Sequence, residues 1–334
     1  MVRARCSDPA EPWALAHGIL VFGAEFRVEG RPAVDVLVER WVRRDAAGRL
    51  GFPRGEAGRP VEPHPGLFTK TLLEVGVPLG HRFRAPDGSR FTLAELARDQ
   101  AAAYAPGGTP PFHNQAWLLE VLAGTQDPRA GQLGDEALAV LAENQAYFEA
   151  YRDPTRPYQK PFVRRGSRRE PAHIHRYYCG GLHLFQAVQR LHGGSCPPKL
   201  AHQYELLLLR LERETGYWKD ALATARRRAH GAALARHERV ILSQSLKLQG
   251  HALETYARAA RAGVLRPSAE DRAALDRGAR ALERTVEAIE SAGLYARLDA
   301  LRRSEPQTYL DLVGDSAHAL HALRLLRALQ PSAR

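Results

Sequence analysis

PAHIHRYYCGGLHLFQAVQRLH, residues 171–192, opens on Pro171, carries apolar residues at helical spacing and closes just before Gly193. Proline is tolerated in a first helical turn because its missing N–H would have no partner there. Glycine just past an end adopts the left-handed conformation that terminates a helix. The same punctuation recurs along the chain. Pro12, Pro32, Pro65, Pro111, Pro197 and Pro267 stand near the starts of periodic segments, and Gly76, Gly124, Gly263 and Gly293 near the ends of others. Strand-like alternation is nearly absent.

This spacing predicts helices over about 10–24, 32–44, 65–75, 92–104, 112–124, 133–151, 171–192, 197–228, 235–262, 268–292 and 307–329, with a short turn or helix at 295–303. The fold class is therefore all-α, with about 11–12 helices. Modest loops between them suggest paired helices forming an α/α toroid or toroid-like helical solenoid, one domain spanning 1–334. Two Gly/Pro/charge-rich connectors, 45–63 and 78–91, are the places for short hairpins. Histidines recur on alternate helices, often just after a proline: His17 after Pro12, His64 after Pro63, His113 after Pro111, His173 and His175 after Pro171. That recurrence favours an inner set of helices facing a cavity. No repeat motif is legible.

The 334 residues are 44% hydrophobic and 25% charged, ordinary values for a folded protein. A net charge of +11 raises the question of nucleic acid, but only five of the 48 basic residues are lysine. Abundant Ala, Arg, Gly, Leu and Pro mark a codon-biased sequence in which part of the basicity is background. Nucleic acid is not the expected partner. Cys6, Cys179 and Cys196 form no CxxC and no even framework, which fits a reducing compartment. The start of the chain lacks the pattern of a secretory signal. No apolar run approaches the ~20 residues of a membrane span, so the expected location is cytoplasmic. A P-loop, GxSxG, HExxH and CxxCH are all absent. The segment 152–170, RDPTRPYQKPFVRRGSRRE, carries six Arg and one Lys. It reads as a solvated connector or as a basic flap over a cavity.

Read as a helix, residues 171–192 set His175, Cys179, His183, Gln186 and Arg190 on one stripe about 80° wide. An ordinary solvent face would carry Glu, Lys and Arg, so this stripe reads as turned toward a polar interior. Gly180 and Gly181 would each cost about 1 kcal/mol inside a helix and call for a close approach there. His175 and His183 would lie about 12 Å apart, too far to share one ion. A metal would take His175 with Cys179, or Cys179 with His183, plus ligands from elsewhere. Core histidines, or Cys179 as a nucleophile, are the other readings.

The last helix, TYLDLVGDSAHALHALRLLRAL (308–329), sets Asp311, Asp315 and His318 on one face of an otherwise apolar segment. Such carboxylates need partners, which a metal, a general acid/base role or an arginine would supply. The helix at 112–124 offers His113, with Trp117 read as core. Gln244, Lys247, His251 and Glu254 also share a face, read as solvated.

The expectation is a metal-assisted hydrolase, lyase or cyclase acting on a small or oligomeric polar substrate. His113, His175, Cys179, His183 and His318 are its metal candidates, and Asp311, Asp315 and Cys179 its catalytic ones. The ion would be divalent, zinc first. The competing expectations are a non-catalytic helical scaffold for a protein partner, with each histidine satisfied individually in the core, and an RNA- or polyanion-binding protein using the flap and the Arg-rich segment 226–239.

Overall fold

The computed structural model describes residues 1–53, 61–108, 110–160 and 173–329. It is 68% helical, with thirteen α-helices and almost no sheet, so the all-α class read from the sequence holds. The chain divides into two compact units, Met1–Ala137 with Gln186–Gly193, and Leu138–Phe185 with Gly194–Arg334. No helix among the described residues is long and apolar enough to cross a membrane.

Unit 1 is built from short helices: α1 (Val2–Arg5), α2 (Pro12–Phe22), α3 (Ala33–Trp41), α4 (Leu67–Glu74), α5 (Leu93–Ala102), α6 (Ala116–Gly124) and the first half of α7 (Ala130–Gln145). Three antiparallel hairpins join them: β1 (Arg27–Val28) with β2 (Arg31–Pro32), β3 (Arg43–Arg44) with β4 (Leu50–Gly51), and β5 (Arg82–Arg84) with β6 (Arg90–Thr92). Two of them fall in or beside the expected connectors. α5 starts on a capping box in which Thr92 and Glu95 satisfy each other's backbone N–H.

Unit 2 is dominated by four long helices, α9 (Pro198–Arg228), α10 (Gly231–Arg261), α11 (Ala269–Ser291) and α13 (Pro306–Leu329), with the short α12 (Leu298–Ser304) before the last of them. α11 opens on a second capping box, Ser268 with Asp271. α10 packs mainly against α13, and also against α9 and α11. Gly250 lets α10 approach the α13 backbone. A Cβ there would stand 3.0 Å from the Ala319 backbone N and 3.3 Å from the Asp315 carbonyl O. Gly278 does the same for α11, where a Cβ would meet Leu211 at 2.8 Å and Leu253 at 3.0 Å.

The stretch 171–192 is not one helix. Residues 171 and 172 lie outside the described residues, as do 161–170 of the expected flap with all four arginines of its second half. From His173 the chain forms two short 3-10 turns, Ile174–Arg176 and Tyr178–Gly181, before α8 (Leu182–Leu191) begins. Cys179, Gly180 and Gly181 take φ of +47, +59 and +77°. Three successive left-handed residues cannot belong to a right-handed helix. The glycine pair therefore marks a turn and not a helix interior. The common stripe expected for His175, Cys179 and His183 does not exist.

Candidate metal centre

Unit 2 places a polar core where α10 meets α13. Lys247 and Asp311, His251 and Asp315, and Glu254 and His318 form three pairs, each with the same 64-residue separation. A constant offset means that the two helices run side by side in the same direction, so spacings of four and three residues on α10 meet the same spacings on α13. The Gly250 contact brings the two helices close enough for these short side chains to bond.

Within this ladder Lys247 Nζ lies 3.0 Å from Asp311 and 3.8 Å from Asp315, and His251 Nε2 lies 3.2 Å from Asp315 Oδ1. Glu254 is 0% exposed and bonds two imidazoles, Nδ1 of His318 at 2.7 Å and Nδ1 of His321 at 2.6 Å. Burial alone would raise the Glu254 carboxyl, but His318 and His321 more than offset it and hold the group well below the usual carboxylate range. Burial is also the largest influence on Asp315, and there it prevails over Lys247 and pushes the carboxyl up to about 7. Lys247 keeps its proton despite burial because Asp315, Cys179 and Asp311 surround it.

His183, in the first turn of α8, completes the cluster. Its ring centroid lies 4.8 Å from that of His251 and 5.5 Å from that of His318, and the latter two are 3.9 Å apart. All three rings belong to residues no more than 4% exposed. Cys179 arrives from the left-handed turn, half-buried, its thiol pushed up to about 12 by burial. Two donor sets result. One ligand atom each from Cys179, His183 and His251 lie within 4.8 Å of one another, and so do those of His251, Glu254 and His318. Imidazole, thiolate and carboxylate are the donors that zinc and its neighbours take.

Of the residues singled out in the sequence, Cys179, His183, His318 and Asp315 come together here. Asp311 stands at the edge of the same ladder, paired with Lys247. His175 does not join them. Its Nε2 lies 2.7 Å from Glu214 Oε1 and 3.3 Å from the Tyr158 hydroxyl, in a second buried network. There Arg210 Nε bonds the same Glu214 oxygen at 2.7 Å, while Arg210 Nη1 donates to the Gly180 carbonyl at 2.7 Å. A Cβ on Gly180 would sit 2.3 Å from Arg210 Nη2, so a larger residue there would push the guanidinium aside and strain a backbone at φ +59°. Arg210 thereby braces the turn that carries Cys179. Burial would raise Glu214, but Arg210, His175 and Lys160 hold it below the carboxylate range.

His113 belongs to unit 1, half-buried in the turns before α6, and is a member of neither donor set. Trp117 is core, 1% exposed, with His64 stacked on it at 4.0 Å. The face with His251 and Glu254, read as solvated, is buried under α13, and it supplies two of the five donors. The signal for it was the matching 4–3 spacing of polar residues on two helices with a glycine between.

No protein-family model, curated protein or solved structure matches the chain. The reading of this site rests on its own geometry.

Proposed function

We propose that unit 2 binds a divalent metal ion, zinc first, in the core between α8, α10 and α13, and uses it in hydrolase-, lyase- or cyclase-type chemistry on a small or oligomeric polar substrate. The observation that carries this reading is the meeting of His183, His251 and His318, from three helices, beside Glu254 and Cys179 in surroundings almost free of solvent. Imidazole, thiol and carboxylate gathered at such distances are the donors that a divalent ion of the zinc type takes. Each donor set supplies three protein ligands, the number that leaves a fourth position for water or substrate, whereas closed four-ligand sites are structural. A bound ion supplies Lewis acidity and lowers the pKa of water in its shell. Lys247 and Asp311, both partly exposed, stand at the edge of the core where a polar substrate would be held.

A second reading draws on the pairing of the histidines with carboxylates: His251 with Asp315, and both His318 and His321 with Glu254. On that reading the ladder is a metal-free fastening of α10 to α13 within a scaffold that binds a protein partner.

Elemental analysis of tag-free protein, before and after equilibration with zinc, separates the two. The metal reading expects one ion per chain, lost in a His251→Ala/His318→Ala variant that keeps its helical circular dichroism. No bound metal at micromolar free zinc in the wild type would leave the fastening as the role of the ladder.

A further inference from the structure

The two donor sets share one residue. His251 belongs both to the set with Cys179 and His183 and to the set with Glu254 and His318, and the five donors do not close on a single point. The sets differ in depth at one member: Cys179 is half-buried on a turn, whereas His183, His251, Glu254 and His318 are no more than 4% exposed. We propose that these are two stations for one ion: an outer station of Cys179, His183 and His251 that captures it, and an inner station of His251, Glu254 and His318 where it comes to rest.

This inference rests on the metal reading above and adds a direction to it. Glu254 has no exposed surface, so a divalent ion must enter the core to reach it. A thiolate is a soft ligand that captures zinc or cobalt well, and the left-handed turn holds Cys179 outside the helices. At the inner station the donors include a fully buried carboxylate, in a dry environment where attraction between opposite charges is stronger than in water. His251 remains a ligand throughout, so the ion moves inward by exchanging partners around one fixed imidazole and is never released. The Cys179 thiol gives up its proton on capture and takes one back when the ion leaves it.

The experiment is rapid mixing of metal-free, full-length protein with one equivalent of Co²⁺. Ligation by sulfur gives a near-ultraviolet thiolate-to-cobalt charge-transfer band, and ligation by nitrogen and oxygen gives only the weaker visible bands. In the wild type the sulfur band is expected to rise first and then decay as the visible bands settle. Cys179→Gly keeps the left-handed backbone unstrained, so its folding is not in question. It is expected to load at least about tenfold more slowly, within the range over which association rates of related variants spread, yet to reach the wild-type visible spectrum. Glu254→Gln is expected to keep the sulfur band at equilibrium, with the ion held at the outer station.

A sulfur band that persists at equilibrium in the wild type overturns the hand-over, because Cys179 would then be a resting ligand. So does loading of Cys179→Gly at the wild-type rate, or binding of two cobalt ions per chain when the titration is carried past one equivalent. In each of these cases the metal reading survives. Absence of any cobalt band in the wild type removes that reading and the hand-over together.

Discussion

Two buried glutamates, one in each unit, have carboxyls shifted in opposite directions. Glu62 in unit 1 accepts backbone N–H bonds from Phe68 at 2.6 Å and Gly66 at 3.2 Å, at the start of α4. Burial outweighs those two bonds and pushes its carboxyl up to about 8. Glu254 in unit 2 meets two imidazoles and stays ionised. Both sit beside a glycine that lets backbone come close. A Cβ on Gly66 would stand 2.8 Å from Leu118 Cδ2, much as one on Gly250 would press on Ala319. Close packing alone therefore does not decide the charge. A pair of backbone dipoles leaves the carboxyl neutral, while titratable partners that carry the opposite charge keep it ionised. Only the second arrangement can draw a cation.

The largest test of this contrast is Glu254→Ala. It strips His318 and His321 of their shared acceptor in a dry core and is expected to cost about 3–5 kcal/mol, the range for breaking a buried charged pair from one side. Denaturant midpoints measure it. A loss under about 1 kcal/mol would mean that the imidazoles find other partners and that Glu254 is no more committed than Glu62.

The next test is pH. Glu62 keeps its proton up to about 8 in the folded chain, against an ordinary value of 4.5 in the unfolded one. Between these values the unfolded chain has released a proton that the folded chain still holds, so this group's contribution to stability falls as pH rises from 5 to 8. Glu254 has the opposite sign: its contribution is present above its unfolded value and is lost as pH falls through its depressed folded value. Glu62→Gln is expected to flatten the decline and to gain about 2–4 kcal/mol at pH 8 relative to wild type. An unchanged slope in that variant would show that Glu62 is ionised after all and would remove the contrast.

The smallest expected effect comes from Gly250→Ala, about 1–3 kcal/mol from overpacking α10 against α13. It sharpens the comparison because forcing the helices apart should also lengthen the Glu254–His318 bond. The His318 Nδ1 chemical shift, followed by nitrogen NMR, is expected to report a weakened bond to Glu254 in this variant. A destabilised protein with an unmoved His318 would separate helix spacing from the charge state.

The long helices of unit 2 were legible because each carries its own punctuation. Pro197 and Pro267 precede α9 and α11, Gly263 follows α10, and the observed ends lie within a few residues of those read from the sequence. The face of Asp311, Asp315 and His318 was legible for the same reason, as polar residues on an apolar helix. The matching stripe of α10 was visible too, but local spacing does not say which face of a 31-residue helix is covered, and only α13, some 64 residues later, settles it. The segment around Cys179 was misread because proline at one end and glycine at the other punctuate a helix and a turn alike. What decides between them is Arg210, which fills the space beside Gly180 and is 30 residues away in sequence.

The constant 64-residue offset between α10 and α13 has a consequence for assembly. Sliding α13 by three residues so that Asp315 moves up to Glu254 would set two carboxylates against each other in a dry core and leave His251 facing Leu312. The apolar surfaces of two smooth helices would tolerate many such settings; the polar rungs do not. α13 leaves the ribosome after α10, which is complete 45 residues before α13 begins. The ladder gives that late arrival one stop at which to dock.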